Sequence, residues 1–351
     1  MDFATKCVKG KCFQEKCNSD RTPVYMNNVY VLGEDNFYVR YSNVNHDVLR
    51  KQILSLYGDK TTKCHILPSG MAAISILLDT VALSKGHIIV AKDIYAETKE
   101  LLAYYKDRLF ISFVNLHDLD ELKSNICKET RLILLDSLTN PFYNTFDIKT
   151  ICKIAHNYPQ ADVKVCVDNS LYTSYYYNPF NDNVDYVVES IGKYTCGYGD
   201  ALAGAILGLD CYEQVAIKGM CVSPFNCWLL QRSIPTFSIR MDRITETANK
   251  VYKFLLGKTS NVLWSGKGGL ITFSLLDRNA HKKLVSNLRL ILNGYSFGSD
   301  ETLILVCYKP NTEYNPPHYE DYIRISIGLE SAEDIIDDLS QSFDCLEKHI
   351  D

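Results

Sequence analysis

A chain of 351 residues that is 46% hydrophobic and 23% charged carries ample apolar material for a large core, which excludes disorder as its main state. Its 37 Lys+Arg against 42 Asp+Glu leave a formal charge of -5, so no long-range field favours a phosphate backbone or an anionic membrane, and neither is expected as a partner. The most apolar stretches, Met71 to Leu83 and Ala201 to Leu209, fall short of the roughly 20 residues that a membrane-spanning helix needs.

The head of the chain is polar. Asp2, Lys6, Lys9 and Lys11 precede no apolar segment, so no secretory signal is expected and the protein reads as cytoplasmic. Cys7, Cys12 and Cys17 recur every five residues among lysines, but without a CxxC pair or HxxxH spacing they are expected as mobile, reduced surface thiols, with no metal site. Most of the other cysteines, including Cys152, Cys166, Cys227 and Cys307, sit in apolar periodic segments and read as buried thiols.

From His65 to Leu209 short β-branched runs alternate with amphipathic stretches, the pattern of βαβ units around a mostly parallel sheet. A helix is expected after Ser69-Gly70, with Met71, Ile74, Leu78, Val81 and Ala82 on one face, Ser69 as N-cap and Gly86 as stop. Strands are expected at His87 to Ala91, Arg131 to Leu135, Val163 to Val167, Asp185 to Val188 and Ala201 to Leu207. Beyond Trp228 the texture changes: a helix through Ile244, Ala248, Val251 and Leu255, a strand at Leu270 to Leu275, and a helix around Leu284 to Leu292. Strands near Leu303 to Cys307 and Tyr322 to Ile327 follow, and a stripe of Ile336, Leu339, Phe343 and Leu346 marks a closing helix. The fold class is α/β, a large mostly parallel-sheet domain with a smaller C-terminal α+β domain.

Parallel sheets bind ligands at the carboxyl ends of their strands, so polar residues just after the strand runs are the first candidates. Those ends carry Asp136 to Pro141, Asp168-Asn169-Ser170 and Ser190 to Tyr194, and a Ser69-Gly70-Met71 turn opens a helix. Together they supply an acid, a lysine and a helix N-terminus with free N–H groups. That set suits pyridoxal phosphate, whose aldehyde takes a lysine, whose pyridine nitrogen takes a carboxylate and whose phosphate takes N–H donors.

Short blocks in fixed order then make the chain recognisable. Ser190-Ile191-Gly192-Lys193-Tyr194 with Gly197-Tyr198-Gly199-Asp200 is similar to S-x-T-K-Y followed by G-H-x-D, and Asp168-Asn169-Ser170 with Pro179 to D-N-T and its proline. Ser69 to Ile74 is similar to S-G-M-x-A-I, Asp93 to Thr98 to D-x-Y-G-x-T, and Asp136 to Pro141 to E-T-P-x-N-P. Ser296 to Leu303 and Ile323 to Glu330 are similar to S-L-G-x-x-E-T-L and V-R-L-S-V-G-L-E, and an arm at Tyr38 to Asn43 to Y-x-R-Y-G-N-P-T. The chain thus resembles the Cys/Met-metabolism, or trans-sulfuration, family of pyridoxal phosphate enzymes, the group of cystathionine γ-lyase, methionine γ-lyase and cystathionine γ-synthase. The likeness runs from about Tyr38 to the C-terminus.

The resemblance implies a fold-type I transferase-like architecture divided as an arm at 1–45, a cofactor-binding domain at 46–225 and a C-terminal domain at 226–351. It implies Lys193 as the lysine bonded to the cofactor, Asp168 as partner of the pyridine nitrogen and Tyr95 as the ring-stacking acid or base. Gly70, Met71 and Ser190 would hold the phosphate, Asn140 would lie near the cofactor oxygen and the substrate carboxylate, and Arg324 with Ser296 would clamp that carboxylate. Tyr38 and Arg40 would reach the neighbour's phosphate, which implies a homodimer paired into a homotetramer. The implied activity is α,γ- or α,β-elimination on cystathionine, homocysteine, methionine or cysteine. A γ-synthase acting on an O-acylhomoserine and a degraded homologue with a binding role are the alternatives.

Departures from the family pattern accompany the matches. Gly192 stands where the family has a hydroxyl residue, which implies one phosphate contact fewer; Val44 replaces a proline, Tyr198 a histidine, and the link from Trp264 to Gly268 is short. Glu97 follows the stacking tyrosine, where it either tunes the substrate pocket or favours the helix N-terminus. Cys196 reads as a packed thiol, and Tyr172, Tyr175, Tyr176 and Tyr177 as packing or interface residues.

Overall fold

The computed structural model describes residues 2–9, 21–31, 38–58, 60–259, 261–275, 277–307 and 321–347. The described strands, numbered in chain order, are β1 (Cys64–Leu67), β2 (His87–Ala91), β3 (Phe110–Val114), β4 (Thr130–Asp136), β5 (Lys164–Asp168), β6 (Tyr186–Glu189) and β7 (Gly204–Leu207), then β8 (Asn261–Trp264), β9 (Leu270–Ser274), β10 (Leu292–Asn293), β11 (Leu303–Val306) and β12 (Ile323–Ser326). The helices are α1 (Phe3–Lys9), α2 (Val44–Tyr57), α3 (Gly70–Ala82), α4 (Ala96–Ala103), α5 (Leu119–Asn125) and α6 (Ile148–His156), then α7 (Thr173–Tyr176), α8 (Tyr212–Ile217), α9 (Pro224–Ser233), α10 (Phe237–Leu256), α11 (Arg278–Ser286) and α12 (Ala332–Glu347).

The first seven strands form one sheet in the order β1-β7-β6-β5-β4-β2-β3. The run β6-β5-β4-β2-β3 is parallel, and β7 and β1 close one edge antiparallel. Leu132 to Leu135 of β4 are wholly buried on both faces, which is why that strand reads as an unbroken apolar run. The remaining strands form a second sheet, β10-β11-β12-β9-β8, covered by α11 and α12.

Helix α10 hands the chain from one core to the other. Phe237, Met241 and Ile244 belong to the core of the large sheet, and Ala248, Val251 and Leu255 to that of the small one. One helix thereby buries its two ends in different domains, so the cleft between the sheets is spanned by a rigid element.

The expected elements shift in several places. Helix α3 begins at Gly70 with the Ser69 hydroxyl accepting from the Ala72 amide at 3.0 Å, but it stops at Ala82, because Lys85 turns the chain with a φ of 47° before Gly86 is reached. The helix expected around Leu284 to Leu292 lies earlier, at α11, where Asp277 caps it, and Leu292 is already in a strand. Residues Ala201 to Ala203 are not in β7, because they are drawn aside against Gly192, whose amide donates to the Ala203 carbonyl at 3.1 Å. In α12 the innermost residues are Ile335, Leu339 and Phe343, with Ile336 and Leu346 on the flank.

Strands β1, β3 and β8 carried no clear sequence signal: each lies at a sheet edge, and in β3 Phe110 and Phe113 face outward, which hides the alternation. Cys7 is fully buried in α1, not a surface thiol, because that helix packs its inner face on α10; Cys12 and Cys17 lie outside the described residues. Among the described residues no helix is long and apolar enough to cross a membrane, and no cluster of His, Cys, Asp or Glu has the makings of a metal site.

Candidate active site

Three neighbouring parallel strands, β4, β5 and β6, each end in an acid: Asp136, Asp168 and Glu189. Asp136 and Asp168 are register partners and line a cavity of about 180 Å3 at the carboxyl edge of the sheet. Burial pushes both carboxyls up, and the charge of Asp168 drives Asp136 well above the usual range. Asp168 is restrained by Ser170, whose amide donates to its Oδ1 at 2.9 Å. Only Asp168 receives hydrogen bonds that favour its charged form from Ser170, while Asp136 is further raised by the charge of its neighbour.

Lys193 projects into the same cavity from the turn that follows β6. Its Nζ donates to the Ser296 hydroxyl at 2.6 Å and lies 5.0 Å from the centre of the Phe297 ring. Burial, helped by the Arg324 guanidinium, lowers its pKa and makes the free amine easier to form. Arg240 of α10, itself buried, secures this turn by donating to the Tyr194 carbonyl at 2.7 Å and the Thr195 carbonyl at 3.1 Å.

Arg324 comes from β12 of the second sheet and is only 4% exposed. Its Nη1 donates to Asn140 Oδ1 at 3.3 Å and its Nη2 to the Ser296 carbonyl at 3.1 Å, while its Nε is buried without a partner. A buried donor of this kind is costly unless an anion satisfies it. Ser296 has a φ of 146°, a conformation that a non-glycine residue adopts only under constraint, and it uses its hydroxyl toward Lys193 and its carbonyl toward Arg324.

The N-terminus of α3 closes the opposite wall, with Gly70, Met71 and Ser190 lining the cavity. A side chain at Gly70 would meet Ser190 Cβ at 3.0 Å, and one at Gly204 would lie 2.2 Å from the Ser69 carbonyl oxygen. These close backbone approaches aim the first amides of the helix into the cavity mouth, where they favour an anion. Gly192 does not line the cavity: a Cβ there would stand 2.7 Å from the Ala201 carbonyl oxygen, so the displaced 201–203 segment occupies the space of a side chain.

Tyr95 also lines the cavity, its amide donating to Asp136 Oδ2 at 3.0 Å. Burial and then the nearby Glu97 carboxylate raise the pKa of its phenol far above the usual value, so it remains protonated. Of the residues expected at the site, Ser296 and Arg324 do not line this cavity but bond to Lys193 and Asn140 that do, whereas Tyr38 and Arg40 stay apart from it: Arg40 donates to the Ala216 carbonyl at 2.9 Å and lies over the Tyr38 and Tyr41 rings. The short link after Trp264 is a tight turn, with the indole N–H donating to the Gly268 carbonyl at 3.1 Å.

A buried network behind the cavity had no counterpart in the sequence motifs. Glu189 accepts from the Thr195 hydroxyl at 2.5 Å and from the Tyr57 hydroxyl, and the Asn169 amide donates to that same phenol at 3.2 Å. It thus ties α2 to the neighbours in sequence of both Asp168 and Lys193. The signal was present as an acid ending an apolar strand immediately before Ser190.

Burial raises the Glu189 pKa from 4.5 to about 7. The folded state therefore binds the proton more tightly than the unfolded state, and stability falls as pH rises from about 4.5 through 7, by up to about 3 kcal/mol. Thermal unfolding of Glu189→Gln should lack that slope, and an identical pH profile in both proteins would count against it. Gly192→Thr, which restores a hydroxyl residue, should cost about 1–3 kcal/mol in denaturant unfolding because of the contact with Ala201; a stability equal to that of the parent would show that the segment yields freely.

Residues 4–344 match the family model described as Cys/Met metabolism PLP-dependent enzyme. An L-methionine gamma-lyase from Porphyromonas gingivalis is 29% identical over 98% of this chain and 97% of its own length. A canavanine gamma-lyase from Pseudomonas canavaninivorans is 28% identical over 92% of this chain and 91% of its own. The crystal structure of metB from Corynebacterium glutamicum superposes with a TM-score of 0.90 at 25% identity, covering 99% of this chain and 98% of that one. With the family model spanning nearly its whole length, the chain belongs to the Cys/Met-metabolism family of pyridoxal-phosphate-dependent enzymes.

Proposed function

We propose that this chain catalyses an α,γ- or α,β-elimination on a sulfur-containing amino acid such as cystathionine, homocysteine, methionine or cysteine, releasing an oxo acid, ammonia and a thiol. The observation that carries this reading is one cavity lined by a buried, easily deprotonated Lys193 amine and the Asp168 carboxylate, with the unsatisfied Arg324 guanidinium bonded to its Asn140 wall and, through Ser296, to the lysine.

The residues present fit pyridoxal phosphate. The glycine-cradled N-terminus of α3 with Ser190 suits the phosphate, Asp168 suits a protonated pyridine nitrogen, and the Lys193 amine suits the aldehyde. When bound, the cofactor supplies an electron sink for a carbanion at the substrate α-carbon. The chain's own groups do the rest. Arg324 and Asn140 hold the substrate carboxylate, with Ser296 fixing both Arg324 and Lys193. Lys193 takes the α-proton as a general base, which its lowered pKa favours. Tyr95, kept protonated over the cavity, donates a proton to the leaving group. A catalytically degraded homologue would have no need to keep these groups together in one buried site.

The arm belongs to the same proposal. Tyr38 and Arg40 remain outside their own chain's cavity, as an arm serving a neighbouring subunit would. We propose that they complete the partner's phosphate site in a homodimer, paired again into a homotetramer, in the cytoplasm.

The purified protein incubated with cofactor and the amino-acid panel should yield pyruvate if the elimination is α,β on cysteine and oxobutanoate if it is α,γ on the four-carbon substrates. Product formed only with an added thiol nucleophile would identify a γ-synthase instead. Arg324→Ala should lower kcat/KM by about 10- to 100-fold for every substrate, the scale of a lost charged hydrogen bond; an unchanged KM would remove Arg324 from the carboxylate. Mixing inactive Lys193→Ala with inactive Arg40→Ala should regain activity through mixed dimers, and failure to regain any would sink the shared site.

A further inference from the structure

Glu97 stands in the first turn of α4, where a carboxylate suits the helix dipole without any other role. It is not left to solvent, however. Its Oε1 accepts the Tyr295 hydroxyl at 2.5 Å, and the Tyr95 phenol bonds into the same group. Tyr295 directly precedes Ser296, the residue that holds both Lys193 and Arg324. The Glu97–Tyr295 contact therefore bridges a helix of the large sheet to a loop of the second sheet beside the cavity mouth.

The Glu97 charge is felt by Lys193, but not through a contact. Among the described residues no lysine, arginine or histidine forms an ion pair with Glu97. Lys193 thus feels two opposite charges, that of Arg324 with its open Nε donor and that of the half-buried Glu97. Tyr295 and Tyr95 supply two hydrogen bonds to a carboxylate that accepts about four. An amino acid held by its α-carboxylate at Arg324, with its side chain running past Tyr95, would bring its far end toward Glu97. A neutral end there would strip water from the carboxylate without replacing its hydrogen bonds, whereas an ammonium or guanidinium would satisfy it.

We propose, resting on the elimination reading for the position of the substrate carboxylate, that Glu97 held by Tyr295 is a specificity-determining residue that selects substrates whose side chain ends in a cationic donor. Tyr295 acts as a positioning residue for it, fixing the carboxylate rotamer from the opposite domain. The chemistry on the leaving side is then that of an amino- or guanidino-bearing group, with a plain alkyl thioether the poorer substrate.

The test uses isosteric pairs. Ornithine and norleucine have equal length and differ in a terminal ammonium against a methyl, and neither carries a leaving group. Calorimetric titration of the cofactor-loaded protein should show ornithine binding at least about tenfold more tightly, the scale of one charge-assisted hydrogen bond. Glu97→Gln, which keeps a partner for Tyr295, should bring the two ligands within about twofold, and Tyr295→Phe should narrow the gap partway. Equal weakening of both ligands in Glu97→Gln would assign the residue to support of Tyr95 and overturn the proposal, as would the absence of any preference in the parent. Turnover is read separately with S-(2-aminoethyl)homocysteine against S-propylhomocysteine. An ornithine preference without turnover of either thioether defeats the elimination reading alone, while turnover of both at equal kcat/KM with no ornithine preference defeats the selectivity alone.

Discussion

Burial of charge at the carboxyl edge of the parallel sheet is the constraint on which the site depends. Three strands deliver an acid each to that edge, and burial raises the pKa of all three. Asp136 accepts from the Tyr95 amide, Asp168 is steadied by Ser170, and Glu189 is satisfied from behind by two hydroxyls. Low dielectric surroundings make each of these arrangements matter, because an unpaired charge there would cost several kcal/mol. The same burial loosens the Lys193 proton, so one physical condition raises two carboxyls and lowers an amine within one cavity.

The second sheet contributes by reaching back over that edge. Arg324 and the Tyr295-Ser296 pair come from its side of the cleft, and their bonds to Asn140, Lys193 and Glu97 join those of Tyr143 to Thr272 and Tyr194 to Gly269 as polar ties across it. Helix α10 gives those ties a fixed frame, since it is packed into both cores and its Arg240 also grips the lysine turn. The constrained backbone at Ser296 is where the two domains meet the chemistry, and its conformation lets one residue serve a base and a carboxylate clamp together.

Gly192 shows how a local departure is absorbed. Read against the family motif it implied a lost phosphate contact. The fold also moves the 201–203 backbone into the space of the missing side chain, with a hydrogen bond from Gly192 to Ala203. The change is a repacking of neighbouring backbone, and it also explains why the strand expected from Ala201 begins at Gly204.

The sequence alone determined the parallel sheet, because β4, β5 and β6 are buried on both faces and so read as apolar runs that end in polar residues. It also pointed to Gly70, Met71, Tyr95, Asn140, Asp168, Ser190 and Lys193, which the fold gathers around one cavity, since each stands just after a strand or at a helix start. Only the tertiary structure decided what depends on residues far apart in the chain. The Glu189–Tyr57 bond, the grip of Arg240 on the lysine turn and the meeting of Glu97 with Tyr295 are all contacts between distant segments, and no spacing along a chain encodes a distance across a cleft. Edge strands such as β3 stayed hidden for a related reason: with one side unpaired and part of their apolar residues outward, their local pattern does not report the neighbour that makes them strands.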